Sequence, residues 1–187
     1  HSSFACNSDL EIMWMDSELL NDGNVAEQLK DADGIIVPGG FGDRGIEGMI
    51  SAIKYARENN VPYLGLCLGM QLTIVEFARN VLGYHDAHSS EFNPSSVHQV
   101  IHIMPDQDGV TDLGGTLRLG AYPCVLKEGS KSYELYGTKE ISERHRHRYE
   151  VNNDYRATLT EHGMKLCGTS PDGRIVEMIE LPDHPWF

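Results

Sequence analysis

Cys67 stands midway between two glycines in Gly65-Leu66-Cys67-Leu68-Gly69. A strand-like run, Val61-Pro62-Tyr63-Leu64, leads into it, and a helical pattern follows at once. This is the cysteine form of the G-x-S-x-G elbow, where a sharp strand-to-helix turn lifts a nucleophile out of a sheet. The nucleophile takes a strained backbone conformation, and side chains two residues to either side would collide where strand and helix cross. A sulfur placed there faces the positive end of a helix and unpaired N–H groups, which favours thiolate over thiol. A second glycine-rich run, Pro38-Gly39-Gly40-Phe41-Gly42, follows another strand pattern. With the N–H of Leu68, it can offer backbone donors to a developing oxyanion, the usual requirement of acyl transfer. The plainer readings are a buried hydrophobe at Cys67 and a phosphate loop or simple turn at 38–42, although no Walker lysine accompanies the loop.

Those two loops need strands to launch them and helices to hold them. Residues 34–37 read as a buried strand ending at the Pro38 loop, and 61–64 as a second ending at Cys67. Between them Ile46, Met49, Ile50, Ile53 and Ala56 recur at helical spacing within 43–59, and a further helix pattern covers 68–79. Strand, helix, strand, helix with short joins predicts parallel βαβ units, whose sites form beyond the carboxyl ends of the strands. Upstream, 10–15 reads as a short strand and 24–32 as a short helix. The second half predicts strands over 97–104, 116–126, 140–151, 164–169 and 174–181, with one helix over 154–162. Ser170-Pro171-Asp172-Gly173 is a tight-turn sequence joining the last two strands as a hairpin. The expected fold is α/β, a mostly parallel central sheet flanked by helices and then a β-rich half, in one domain over 1–187.

Composition narrows the function classes. The 187 residues carry a formal charge of −13, which argues against a nucleic-acid or anionic-membrane surface. No run approaches the roughly 18 apolar residues of a membrane span, and no signal-peptide pattern opens the chain. Cys6, Cys67, Cys124 and Cys167 form no C-x-x-C pair or zinc spacing, so a reducing, cytoplasmic setting is expected, with Cys6, Cys124 and Cys167 as packing residues. His85, His88, His98 and His102 are spaced like metal ligands, but no metal site is assigned to them. The concentrated basic stretch Arg144 to Arg148 alternates arginine with histidine; on a strand the arginines share one face and the histidines the other.

Pro38-Gly39-Gly40-Phe41-Gly42-Asp43-Arg44-Gly45 and Gly65-Leu66-Cys67-Leu68-Gly69-Met70-Gln71 resemble the class I glutamine amidotransferases, which have a flavodoxin-like α/β fold. Four further stretches narrow the resemblance to the glutaminase domain of the CTP synthases: Ser90-Glu91-Phe92, Leu113 to Gly120, Glu143 to Asn152 and Glu180 to Phe187. The resemblance covers nearly the whole chain. It implies that Cys67 attacks the side-chain amide of L-glutamine, forms a glutamyl thioester and releases ammonia. It implies Gly40 and Leu68 as the oxyanion hole, and Gly40, Leu68, Gly69, Met70 and Gln71 as lining of the glutamine pocket. Glu91 and Arg148 would hold the substrate's amino-acid end, a carboxylate suiting the α-ammonium and a guanidinium the α-carboxylate. No cofactor is implied for this domain. In the family the ammonia passes to an amidoligase domain of the same polypeptide, which uses ATP and Mg2+ to aminate UTP to CTP. GTP activates allosterically, the 114–120 loop resembles the lid involved, and the parent enzyme is a homotetramer.

The same resemblance sets out what the 187 residues lack. In the family the general base and its orienting carboxylate are the His and Glu of a Phe-His-Pro-Glu motif, one short strand beyond His-Pro-Trp-Phe. His184-Pro185 is not that motif, because Trp186 stands where the carboxylate would be. The opening strand and the amidoligase domain are also missing by this comparison. The expectation is therefore a piece of a longer polypeptide with little glutaminase activity by itself. Two other readings stay open: a free-standing γ-glutamyl hydrolase on the same fold, and a catalytically incomplete, amidotransferase-like binding module.

Overall fold

In the computed structural model, which describes residues 1–103 and 118–187, the chain begins with a short helix α1 (Ser2–Cys6), a 3-10 turn and α2 (Val25–Leu29). The expected βαβ unit follows as β1 (Ile35–Val37), α3 (Ile46–Asn59), β2 (Tyr63–Gly65) and α4 (Leu68–Asn80). The second half contains β3 (His88–Ser89), β4 (Gln99–Ile103), β5 (Arg118–Leu126), α5 (Lys131–Tyr136), β6 (Glu140–His147) and β7 (Tyr149–Val151). A 3-10 turn, α6 (Arg156–Glu161), β8 (Lys165–Thr169) and β9 (Val176–Glu180) complete it.

α3 forms because its apolar positions make one stripe: Ile46, Ile50, Ile53 and Ala56 are all buried. It ends at Asn60, whose left-handed backbone (φ 57°) returns its N–H to the Ala56 carbonyl. α4 is apolar nearly all round, and Leu72, Ile74, Val75 and Ala78 are fully buried. Each such aliphatic side chain larger than alanine contributes about 1.5–3 kcal/mol of transfer free energy. α4 is thus the central element of the main core, packed on α3, β1, β2 and β4.

Among the described residues, parallel pairing joins β1 with β2 and β3 with β4, in two separate sheets. β7 joins β4 antiparallel, and β6-β5-β8-β9 form a four-stranded antiparallel sheet. The α/β class and the β-rich second half agree with the sequence. The Ser170 turn closes the β8–β9 hairpin: Gly173 N–H reaches the Ser170 carbonyl at 2.8 Å, and Ser170 Oγ bonds both Asp172 and the Ile175 N–H. Residues 10–15 are not a strand. They pair with no strand among the described residues, and Leu10, Ile12 and Trp14 stand exposed. Cys6 is exposed too, so it is not the packing residue expected; Cys124 and Cys167 are buried. Among the described residues, no helix is long and apolar enough to cross a membrane. Of the expected 114–120 lid, residues 114–117 lie outside the described part.

Candidate active site

β1 and β2 run side by side, Val37 opposite Gly65, and deliver the Pro38 loop and Cys67 to the same end. Cys67 takes φ 53°, ψ −105°, a conformation foreign to L residues outside special sites. Backbone contacts hold it there: Leu66 N–H donates to the Val37 carbonyl at 2.9 Å, and Gly69 N–H to the Leu66 carbonyl at 2.9 Å. Below the turn, the Gly69 carbonyl accepts from Tyr63 OH at 3.0 Å and from Thr73 Oγ1 at 2.8 Å. Burial drives the Tyr63 hydroxyl well above its ordinary range, so it stays a donor.

A cavity of about 630 Å³ opens over the sulfur. Gly39, Gly40, Cys67, Met70 and Gln71 line it together with Tyr149, Glu150, residues 143–147 of β6, Arg144 and Arg146 included, and residues of β9. The glycine loop lies against the elbow: a Cβ on Gly39 would sit 3.3 Å from the Cys67 Cβ and 3.9 Å from its Sγ. A Cβ on Gly40 would sit 3.3 Å from the Leu68 side chain. Of the predicted site residues, Leu68, Gly69, Glu91 and Arg148 are not on the cavity wall. Gly69 is pressed against Val37, while the Leu68 N–H is directed at the sulfur. Glu91 feels the charge of Arg148, and Cys67 feels that of Glu91, so these three belong to one electrostatic neighbourhood.

Cys67 is exposed, and its surroundings act on the thiol in opposite directions. Burial pushes the Cys67 thiol up; the Leu68 N–H pulls it down, and the charges of Glu150 and Glu91 push it further up. The helix N-terminus therefore does not by itself deliver a thiolate, and a base must take the proton during attack. Burial likewise raises the Glu91 carboxyl, with Arg148 opposing. His184 is not that base. Its Nδ1 accepts the Trp186 N–H at 3.2 Å, which leaves Nε2 to donate to the Ala56 carbonyl at 3.0 Å. His98 is stacked on Tyr84 at 4.1 Å between ring centres and meets Tyr155 OH at 3.2 Å.

Gln71 does more than line the cavity. Its side-chain amide donates to the Tyr149 carbonyl at 2.9 Å, tying the elbow helix to β7 beside Arg148. The basic strand alternates as predicted, with Arg144 and Arg146 exposed and His145 and His147 turned inward. Strand geometry breaks at Arg148, dividing the single strand expected over 140–151 into β6 and β7.

A strained, exposed cysteine at a strand-to-helix elbow, backed by a glycine loop and facing a cavity, defines an acyl-transfer site of the amidotransferase kind. The whole of residues 1–187 matches the family described as glutamine amidotransferase class-I, and the chain belongs to that family. Within it, the kinship is with the glutaminase domains of CTP synthases. The chain is 60% identical to the CTP synthase of Geobacillus kaustophilus and 58% identical to that of Clostridium beijerinckii, in both cases over all 187 residues. It spans 35% of the length of each of these relatives. Among solved structures, the glutaminase domain of Trypanosoma brucei CTPS with bound acivicin superposes with a TM-score of 0.91 at 39% identity. That alignment covers 99% of this chain and 73% of the other.

Proposed function

We propose that Cys67 opens the side-chain amide of L-glutamine. Its sulfur attacks the carboxamide carbon, the tetrahedral adduct takes up a proton on nitrogen and expels ammonia to leave a glutamyl thioester, and water then frees glutamate and the thiol. The Gly40 and Leu68 N–H groups hold the oxygen of the tetrahedral adduct, a contribution of about 3 kcal/mol per donor in comparable sites. Met70 and Gln71 shape the pocket with Gly69 beneath them, Glu91 receives the α-ammonium, and Arg148 receives the α-carboxylate. The raised thiol requires a general base, which this reading assigns to the His of a Phe-His-Pro-Glu segment beyond Phe187. The observation that carries the reading is the Cys67 conformation, φ 53° and ψ −105°, at the floor of the cavity beside the Gly39-Gly40 backbone.

In the intact protein the ammonia serves an amidoligase domain of the same polypeptide, which with ATP and Mg2+ converts UTP to CTP under GTP activation. A homotetramer in the cytoplasm completes the proposal. The test is Cys67→Ala in the intact polypeptide: glutamine-dependent CTP formation is lost while ammonia-dependent formation survives. Persistence of glutamine-dependent turnover would refute the nucleophile. Acivicin, found bound to the Trypanosoma brucei glutaminase domain, is expected to occupy the cavity over Cys67, with glutamine protecting against it.

A further inference from the structure

Beneath the elbow, Tyr63 ties together three parts of the fold, and the reaction above gives it no task. Its N–H donates to the Trp186 carbonyl at 2.8 Å, and its ring stacks on Phe187 with centres 4.7 Å apart. Its hydroxyl donates to the Gly69 carbonyl at 3.0 Å, in the first turn of α4. Thr73, one turn further along α4, reaches that carbonyl at 2.8 Å and the tyrosine oxygen at 3.2 Å. Tyr63 is 3% exposed, and its hydroxyl fills the space beside Gly65, where a Cβ would fall 2.8 Å from the oxygen. Glycine at 65 therefore admits this hydroxyl as well as α4.

Packing alone does not call for that oxygen. A phenylalanine would keep the stack on Phe187 and would bring no hydroxyl into the core, where a polar group costs free energy unless paired. What the oxygen adds is a hold on the residue two places beyond the nucleophile. Gly69 is fixed at both ends: its N–H goes to the Leu66 carbonyl at 2.9 Å, and its carbonyl to the two hydroxyls. Leu66 is itself fixed through its N–H to the Val37 carbonyl at 2.9 Å. Between those two held residues lie only Cys67 and Leu68. The first carries the strained backbone, and the second supplies the N–H directed at the sulfur. Strain of this kind costs about 1–3 kcal/mol and persists only where the surroundings over-determine it.

We propose that Tyr63 is a positioning residue for glutamine hydrolysis: its hydroxyl, acting through Gly69, keeps the Leu68 N–H aimed at the oxygen of the tetrahedral adduct. That oxygen gains its charge only in the adduct, so a misaligned donor lowers turnover rather than substrate binding. The inference rests on Cys67 opening glutamine with Leu68 in the oxyanion hole.

Tyr63→Phe keeps the ring contact and the backbone bond to Trp186 and removes one oxygen. In the intact polypeptide, kcat and KM for glutamate release are measured, with ammonia-dependent CTP formation and urea unfolding alongside. The kcat is expected to fall about tenfold, the scale of one hydrogen bond, with KM within about twofold of wild type. Ammonia-dependent formation is expected to be unchanged. A folded Tyr63→Phe with wild-type kcat overturns the proposal even where its unfolding midpoint drops, since that is packing alone. A raised KM with unchanged kcat overturns it as well. Should Tyr63→Phe fail to fold, Thr73→Val removes the second hydroxyl at the same carbonyl. Its kcat is then expected to fall about threefold, with Thr73→Ser restoring it, and a wild-type kcat in folded Thr73→Val overturns the proposal. Cys67→Ala keeps the two readings apart: glutamine turnover surviving in that variant strikes the nucleophile, whereas wild-type kcat in Tyr63→Phe strikes only the role of the hydroxyl.

Discussion

Gly69 and Val37 touch backbone to backbone: a Cβ on Gly69 would lie 2.1 Å from the Val37 carbonyl oxygen. Gly65 is as confined, its added Cβ falling 2.7 Å from the Gly69 carbonyl carbon. The glycines flanking Cys67 are thus what lets β1, β2 and α4 meet at one point. Gly69→Ala is expected to cost about 3 kcal/mol or more, the upper end of overpacking. Gly83→Ala, with φ 77° and open space around it, should cost about 1 kcal/mol for backbone strain alone. Urea denaturation of the two variants checks this, and equal midpoints would contradict the contact.

The strain at Cys67 itself predicts a trade of function for stability. Cys67→Gly accepts the positive φ without a Cβ and is expected to stabilise the fold by about 1 kcal/mol. It should also lower glutamine-dependent turnover by on the order of a thousandfold or more. Cys67→Ala, which keeps the Cβ, should lose the activity without gaining the stability. Thermal unfolding set beside turnover separates the two effects.

The thiol supplies a pH prediction. Because the charge of Glu91 raises the Cys67 thiol, Glu91→Gln should move its ionisation to lower pH. At fixed neutral pH, alkylation by a small uncharged reagent should then be faster than in wild type, while protection by glutamine becomes weaker. Alkylation rates across pH, with and without glutamine, measure both. A profile displaced to higher pH would contradict the electrostatic link.

How much of this was legible beforehand can be argued residue by residue. The elbow was readable because close approach of backbones requires glycine at 65 and 69, and that need is written in residue types. α3 was readable from its 3.6-residue stripe. α5 was not: with six residues and no buried stripe, its chief signal is Ser130, whose Oγ accepts the Tyr133 N–H at 3.1 Å. Residues 10–15 are apolar apart from Glu11, which suits a strand, but composition does not supply a hydrogen-bonding neighbour. The surroundings of the thiol were not legible, because the desolvation at the cavity and the charges of Glu150 and Glu91, which oppose the Leu68 N–H, depend on tertiary placement. The buried cluster of Arg118, His145, His147, Glu150 and Glu177 depended on register. Only the pairing of Arg118 with His147 across β5 and β6, and the place of β9 beside β8, bring its members together.

Away from the site, Arg57 and Glu76 form a pair that stabilises α3 against α4. Glu76 is fully buried and Arg57 Nη2 lies 2.8 Å from its Oε1, with Asn80 donating to the same oxygen at 3.1 Å. Glu76→Ala leaves the guanidinium only its Glu58 contact at 3.2 Å and should cost about 2–3 kcal/mol. The double variant Arg57→Met, Glu76→Leu should recover most of that loss, as equilibrium unfolding will show. A double variant no more stable than Glu76→Ala alone would mean the pair does more than neutralise itself.

The alternation along β6 lets one strand serve two masters. Arg144 and Arg146 look outward, the latter 5.7 Å from the centre of the exposed Phe41 ring, while their neighbours in sequence belong to the interior. Both rows border the cavity over Cys67, so a change of charge on the outer row alters the field at the cavity while leaving the inner row's packing in place. Eight consecutive residues thus carry both an exposed cationic row beside the cavity and an inward imidazole row.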